Sequence, residues 1–233
     1  MVVGMRLRRR HPEPPASDPP APRCRPEALG DETAEAVLER IRVTDWGQLT
    51  HAYGNARTVG PELEALTLGD EPTRRAVWSE LWGTIHHQGT VYEATVPAAH
   101  VIADLAGWPA FPDRREALCM LCAFAEGDGS TSDQVADVVH DRAERLLDGW
   151  RDAPALVQRA LLMLARSVGV ERADLLDSVL PHRYRASWAL GTSRDIWARF
   201  GDGDRPLAVD ETPEFDAEMD ALSELEDWAF SAE

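Results

Sequence analysis

One segment of the chain recurs after about 40 residues, and this repeat constrains the fold more than any other feature of the sequence. Pro72–Leu81 (PTRRAVWSEL) aligns with Pro112–Leu121 (PDRREALCML), so that the proline, both arginines and the last leucine are each displaced by 40 positions. A weaker third copy follows, since Ala117–Leu121 (ALCML) matches Ala160–Leu164 (ALLML) at a displacement of 43. Periods of about 40 to 47 residues, with two helices in each, are typical of stacked arrays of helical pairs.

The best-defined helical pair lies on either side of a polar turn, His86–Glu93 (HHQGTVYE). Before the turn, apolar residues follow a helical period over a face too wide for a single exposed helix: Val77, Trp78, Leu81, Trp82 and Ile85. After the turn, Thr95 is a candidate N-cap and Pro97 suits the first helical turn. A stripe of Val101, Ile102 and Leu105 continues to Gly107, where we expect this helix to end.

Other apolar stripes extend the helical pattern in both directions. Asp31–Arg42 is amphipathic and could cover the N-terminal end of the array. We expect Asp113 to cap the helix that starts at Pro112, and Gly127 to follow its end. Two further stripes predict a helix between Val135 and Trp150 and another that Gly169 ends.

The repeat and the turn together resemble a known family. The 40-residue period is similar to that of the HEAT-repeat superfamily, over about Thr44 to Gly169. The run from Trp78 to Thr95, with its His-Gln-Gly-Thr-Val-Tyr core, looks like a group of bacterial HEAT-repeat proteins that usually carry no assigned activity. That resemblance implies an armadillo-like solenoid and supplies no catalytic residues.

We therefore predict an all-α fold, a right-handed HEAT-like α-solenoid of about three to four helical pairs. Residues 31–200 form the repeat domain. Residues 1–30 are rich in proline and arginine and form a disordered tail. Residues 201–233 form an acidic segment, in which Phe215, Met219, Leu222, Leu225 and Trp228 fall at helical spacing and predict an amphipathic helix over Pro213–Ala229.

The charge of the chain indicates what it binds. Its 233 residues contain 41 acids against 24 basic residues, all of them arginine, which gives a net charge of -17. A surface this acidic repels nucleic acid and anionic membranes and attracts a basic partner. The aromatic residues superficially suit a HEAT-like DNA glycosylase, but that activity needs a basic groove.

The cysteine content and hydropathy give further expectations. Three cysteines do not make a disulfide framework, and we expect Cys119 and Cys122, three apart on a helix, to be small buried core residues. A redox or zinc role for this pair stays open, but no further ligands are visible. Without an apolar stretch of about 18 residues or a signal sequence, we expect a cytoplasmic protein that needs no cofactor.

The polar turn is the candidate binding site of the repeat domain. Its residues are His86, His87, Gln88, Thr90, Tyr92 and Glu93. One alternative is an enzyme or metal-binding protein, in which both histidines act together and Glu93 and His100, seven apart on one helix face, complete the site. The other is structural: His87, Gln88 and Tyr92 satisfy backbone groups at the turn, and Gly89 supplies a positive φ.

The repeated arginines and the acidic helix complete the functional predictions. Arg74, Arg75, Arg114 and Arg115 recur with the repeat, and we expect one arginine per pair to bond to carbonyls or acids between repeats. The leading hypothesis is a non-enzymatic protein-binding module, in its most concrete form an immunity-type inhibitor of a basic toxin or nuclease. Partner-facing acids are predicted on the C-terminal helix: Glu214, Asp216, Glu218 and Asp220.

Overall fold

A computed structural model of the chain describes residues 31–191, 195–196 and 213–230. The predicted disordered tail, residues 1–30, and the first part of the acidic segment lie outside these ranges. Within them the fold is all-α, as predicted. Ten helices are numbered here: α1 Glu32–Val43, α2 Val59–Leu68, α3 Glu71–Thr84, α4 Thr95–Gly107, α5 Arg114–Glu126, α6 Ser132–Asp148, α7 Ala155–Ser167, α8 Ala173–Val179, α9 Arg185–Ala189 and α10 Pro213–Phe230.

Short elements connect the helices. Single turns of 3-10 helix occur at Trp46–Gln48, Trp150–Asp152 and His182–Tyr184. Two small antiparallel hairpins precede α2 and α4, the first formed by β1 (Thr50–His51) and β2 (Gly54–Asn55), the second by β3 (His86–His87) and β4 (Thr90–Val91). The second hairpin is the predicted polar turn, which therefore includes paired strands that the sequence pattern did not indicate.

The helices form consecutive pairs that stack in two layers. Helices α2 and α3, α4 and α5, and α6 and α7 pack as neighbours within each pair. Between pairs, α2 contacts α4, α4 contacts α6, and α5 contacts α7. This confirms the predicted array of helical pairs, whereas the right-handed sense of the solenoid stays a prediction. Helix α1 packs against α2 and α4 and covers the first end of the array, as expected.

In the first two pairs, an arginine at the start of the second helix bonds to a carbonyl group at the end of the first helix. The Arg74 Nη1 donates to the carbonyl oxygen of Gly69, 3.0 Å away, and the Arg114 Nε donates to that of Ala106, at 2.9 Å. In the third pair, the Gln158 Nε2 bonds instead to the carbonyl oxygen of Ala153, 3.0 Å away, which ends the 3-10 turn between α6 and α7. Carbonyl groups near a helix end lack intrahelical partners, so these bonds satisfy them.

Arg74 also joins two successive pairs. Its guanidinium makes a two-pronged ion pair with Asp113, with Nε to Oδ2 at 2.7 Å and Nη2 to Oδ1 at 3.1 Å. The Trp78 Nε1 donates to the same carboxylate at 3.1 Å. The Arg74 side chain is 6% exposed and that of Asp113 is 18% exposed, so this is a largely desolvated pair. These bonds confirm the predicted role between repeats for Arg74, whereas the bond from Arg114 to Ala106 stays within one pair.

Two predicted N-caps are wrong. The Asp113 side chain makes no capping bond at the start of α5, because its carboxylate is engaged by Arg74 and Trp78. Thr95 is the first residue of α4 and is completely buried. Its hydroxyl accepts from the Tyr92 N–H at 2.8 Å and donates to the Ile85 carbonyl, so it closes the turn instead of capping the helix.

Across the described ranges, no helix combines the length and the apolar character needed to cross a membrane.

The buried pair between repeats gives the first prediction. Asp113→Ala should lower the free energy of unfolding by about 3 to 5 kcal/mol, because it leaves the buried Arg74 charge without its partner. Urea denaturation of the wild type and the variant measures this difference. Glu71→Ala is the matched control, because it breaks an exposed pair with Arg75 and should cost less than about 1 kcal/mol. Similar losses in both variants would contradict the structural importance of Asp113.

Candidate functional site

The loops that join one helical pair to the next lie side by side, linked by backbone hydrogen bonds. From the first hairpin, the Thr50 carbonyl oxygen accepts from the Ala94 N–H at 3.0 Å. From the second hairpin, the Val91 N–H donates to the carbonyl oxygen of Asp128 at 2.8 Å, and the Asp128 N–H donates to the carbonyl oxygen of Gly89 at 2.8 Å. We call these three segments, residues 50–55, 86–91 and 127–131, the loop ridge. The predicted binding residues of the polar turn therefore belong to a surface built from three repeats.

The second hairpin of the loop ridge is a two-residue turn. Gln88 has a φ of 51° and Gly89 a φ of 83°, so both central residues are in the left-handed region. This combination defines a type I′ turn, which matches the twist of the two short strands. The predicted positive φ of Gly89 is confirmed. Gln88 is the only non-glycine residue in the described ranges with a positive φ, and the sequence analysis did not anticipate it.

The two histidines of the hairpin point to different neighbours. The His86 ring packs edge-on against Trp82, with centroids 5.3 Å apart, and lies 6.3 Å from the Phe124 ring. Burial lowers the pKa of His86, against a smaller opposing effect of Asp128. His87 instead contacts Tyr53 of the first hairpin, with centroids 5.5 Å apart. Successive side chains of a strand point to opposite faces, which explains why the two rings separate.

The other predicted residues of the turn make local contacts. Gln88 is exposed, and Thr90 and Tyr92 are half-buried. The Glu93 Oε2 accepts from the Thr50 hydroxyl at 2.9 Å and from the Thr50 N–H at 3.2 Å, so it ties the second hairpin to the first. The hydrogen bonds that close the turn come from Thr95 and from the backbone. We find none in the described structure from the side chains of His87, Gln88 or Tyr92, which the structural alternative had assigned to this role.

The residues required by the metal or acid–base alternative do not meet. Glu93 precedes α4, so the prediction that it shares a helix face with His100 is wrong. The His100 Nδ1 lies 3.4 Å from Arg142, and burial lowers the pKa of His100. Among residues 31–191, 195–196 and 213–230, no three His, Cys, Asp or Glu side chains are arranged to hold a metal ion.

A cleft of about 480 Å³ lies next to His86, between α5, α7 and α10. This volume is within the usual range of ligand sites. Its walls are mainly apolar and include two thiols and two carboxylates. The lining residues include Trp82, His86, Cys119, Cys122, Glu126, Met163, Met219, Leu222, Glu226 and Phe230. Sequence reasoning missed this site because it joins helices more than 100 residues apart. The amphipathic pattern of α10 was the only signal, and it did not indicate where the helix packs.

Burial changes the pKa values of several ionisable groups that line the cleft. Burial raises the pKa of Glu226, and the nearby Glu126 carboxylate raises it further, while Arg166 partly offsets both effects. Burial also raises the pKa of Cys119 to about 12 and that of Cys122 well above its ordinary value. A thiol reacts and binds metals as the thiolate, so the raised pKa of both cysteines disfavours the form that reacts. The expected burial of the pair is confirmed for Cys122, while Cys119 is half-buried.

The C-terminal helix is present over Pro213–Phe230, close to its predicted bounds, and its two faces differ. Its apolar face is buried against α7 and α9 and includes Phe215, Leu222, Leu225 and Trp228. Of the four predicted partner-facing acids, Glu214, Asp216 and Asp220 are exposed and Glu218 is half-buried. An ordered helix therefore presents carboxylates outward while its apolar stripe packs within the chain.

Comparisons of the chain with protein-family models, with curated proteins and with solved structures find no match.

The half-buried His86 ring gives the second prediction. Its pKa in the folded chain is below the ordinary value of 6.5, so at mildly acidic pH the unfolded chain binds a proton that the folded chain does not. The free energy of unfolding should therefore fall as the pH drops from about 7 to 5, and His86→Phe should reduce this fall. Urea denaturation at several pH values measures it. His87→Phe is the control for losing an imidazole from the hairpin, and equal changes of slope in both variants would contradict the assignment.

Proposed function

We propose that this chain is a non-enzymatic protein-binding module of HEAT-like, right-handed solenoid architecture, and that its partner is a basic protein. In its most concrete form it is an immunity-type inhibitor that neutralises a basic toxin or nuclease. The observation that carries the proposal is the outward acidic face of α10. Its exposed carboxylates Glu214, Asp216 and Asp220 make no ion pair with any residue in the described ranges.

The ion pairs of the array support this proposal. Many arginines in the described part of the chain are paired with acids: Arg40, Arg42, Arg74, Arg75, Arg115, Arg142, Arg151, Arg172 and Arg185. These ion pairs neutralise the arginine charges. Since the whole chain has 41 acids and 24 arginines, carboxylates remain in excess. Such a surface favours encounter with a cationic partner and disfavours nucleic acid.

The arrangement of α10 suits rapid recognition. Glu214 and Asp216 lie in the first turn, where carboxylates interact favourably with the helix dipole, so their presence does not oppose helix formation. Because the apolar face of α10 is already packed, the exposed face offers charge and little apolar surface. Charges at the rim of an interface act mainly on the association rate, and this contribution weakens as salt shortens the Debye length from about 10 Å at 0.1 M to about 3 Å at 1 M.

The test compares two variants with the same change in net charge. The first, Glu214→Gln/Asp216→Asn/Asp220→Asn, neutralises the face of α10. The control, Asp137→Asn/Asp141→Asn/Glu144→Gln, neutralises three exposed acids of α6. Proteins captured from the native host by the wild type are identified by mass spectrometry, and their association rates are measured by stopped flow at several salt concentrations. The α10 variant should slow association about tenfold at low salt and flatten its salt dependence, while the α6 variant changes both less.

The α6 variant should keep the wild-type stability to within about 0.5 kcal/mol, because the substituted residues are exposed, and the α10 variant should lose no more than about 2 kcal/mol, from two carboxylates at the helix N-terminus. Equal effects of the two variants on association would show that only net charge matters and would contradict a specific role for α10. Binding of duplex DNA, measured by fluorescence anisotropy at about 0.15 M salt, would overturn the acidic-inhibitor proposal. The proposal of a protein-binding array would remain after either result.

A further inference from the structure

The inner face of α10 binds the rest of the chain as a peptide ligand would. Phe215, Leu222, Leu225 and Trp228 occupy positions i, i+7, i+10 and i+13, so one stripe of a single helix supplies the anchors. This spacing is that of amphipathic helices that bind apolar grooves of other proteins. The helix packs against a surface that α7 and α9 form and that faces α5 across the cleft. We call this surface the α10 groove.

Trp228 is the most specifically held of these anchors. Its ring lies 5.4 Å from that of Tyr184, and the Arg159 guanidinium lies 5.1 Å from its centroid. The Arg159 Nη1 also donates to the Trp228 carbonyl oxygen at 3.2 Å. The groove therefore contacts an aromatic ring on two sides and bonds to a carbonyl group in the last turn of the helix, where intrahelical donors are missing.

Two arginines of the groove act on α10, in addition to the Glu126 carboxylate that lines the cleft. Arg159 contacts the C-terminal half of α10, and the Arg166 charge acts on Glu226 of the same helix. These two arginines are the groove's counterparts to a helix that is itself strongly acidic. Complementary charge of this kind selects an acidic occupant and rejects a basic one.

The fit of α10 to this groove is incomplete. Its packing leaves an open cleft of about 480 Å³ beside Glu226 and the exposed Ser223, so this part of α10 covers the groove only in part. Docking also brings Glu226 close to Glu126, which places two carboxylates in one partly buried site. Unfilled space and like charge both weaken docking, so a helix without these defects would bind the groove more tightly than α10.

We propose that the α10 groove is the binding site for an acidic amphipathic helix of a partner protein, and that α10 is its displaceable occupant. The partner helix carries aliphatic and aromatic residues at the spacing of Leu222, Leu225 and Trp228, with a larger apolar side chain in place of Ser223 and an uncharged one in place of Glu226. This site is distinct from the outward acids of α10, so it does not rest on the basic partner proposed above.

The first test measures peptide binding to the full chain. Two fluorescein-labelled peptides span residues 213–230, one with the native sequence and one with Ser223→Leu and Glu226→Gln. They are titrated, by anisotropy, into the wild-type chain and into Leu222→Asp/Leu225→Asp, which should release α10. Because bound α10 reduces the fraction of open groove, the wild type should bind the native peptide at least about tenfold more weakly than the released variant. The altered peptide should bind both proteins more tightly than the native one.

Two controls define the site. Adding Arg159→Ala to the released variant should weaken binding of both peptides, because it removes contacts to Trp228. Glu224→Gln, on the exposed face of α10, should behave as the wild type. If release of α10 does not increase peptide binding, the proposal is wrong. Sedimentation showing that the wild type forms dimers through exchanged α10 would also overturn it, because a second copy would then be the occupant.

A second test needs no release of α10 and so does not depend on whether that variant folds. In hydrogen exchange of the wild-type chain, amides of α10 should exchange about a hundredfold faster than those of α5 and α7, because α10 opens without the array. Glu226→Gln should slow exchange of α10, whereas Glu224→Gln, an exposed change on the same helix, should not. Exchange of α10 at the rate of the core helices would show that it does not open separately and would contradict the proposal.

Discussion

The ion pair between Arg74 and Asp113 organises the array, because one guanidinium contacts three helices. It belongs to α3, bonds to the Gly69 carbonyl at the end of α2, and holds the carboxylate that begins α5. The indole of Trp78 completes the site by donating to the same carboxylate. The relative placement of successive pairs therefore depends on a polar contact as well as on the apolar core.

The periodic features of the sequence predicted the helical pairs, because they follow from burial of one face of each helix. The 40-residue displacement and the stripe at Val77, Trp78 and Leu81 needed no tertiary information. Asp113 shows why the local rules fail elsewhere. An aspartate before a helix is ordinarily an N-cap. Here its carboxylate bonds instead to a buried arginine 39 residues away. Nothing in the local sequence distinguishes these two uses.

The candidate sites differ in how far the sequence predicted them. The polar turn was found as a turn, but the pairing of its strands and the divergence of His86 and His87 depend on a backbone geometry that two left-handed residues create. The cleft beside His86 was not found, because its walls come from α5 and α10, and the packing of one amphipathic helix on another has no signature in either segment alone. His86 borders both features and is the one predicted residue that connects them.

The loop ridge joins neighbouring repeats through main-chain atoms, and this determines which changes the array tolerates. Bonds such as that from Val91 to Asp128 involve peptide groups and do not depend on the side chain at either position. Close approach does impose steric limits: for example, a Cβ at Gly127 would lie 2.6 Å from a methyl carbon of Val91. Loop length is restricted more strictly than loop composition, since a single inserted residue shifts every later donor away from its acceptor. The main-chain bonds of the loop ridge thus fix the spacing of the repeats, while most of its outward side chains can be substituted without breaking these bonds.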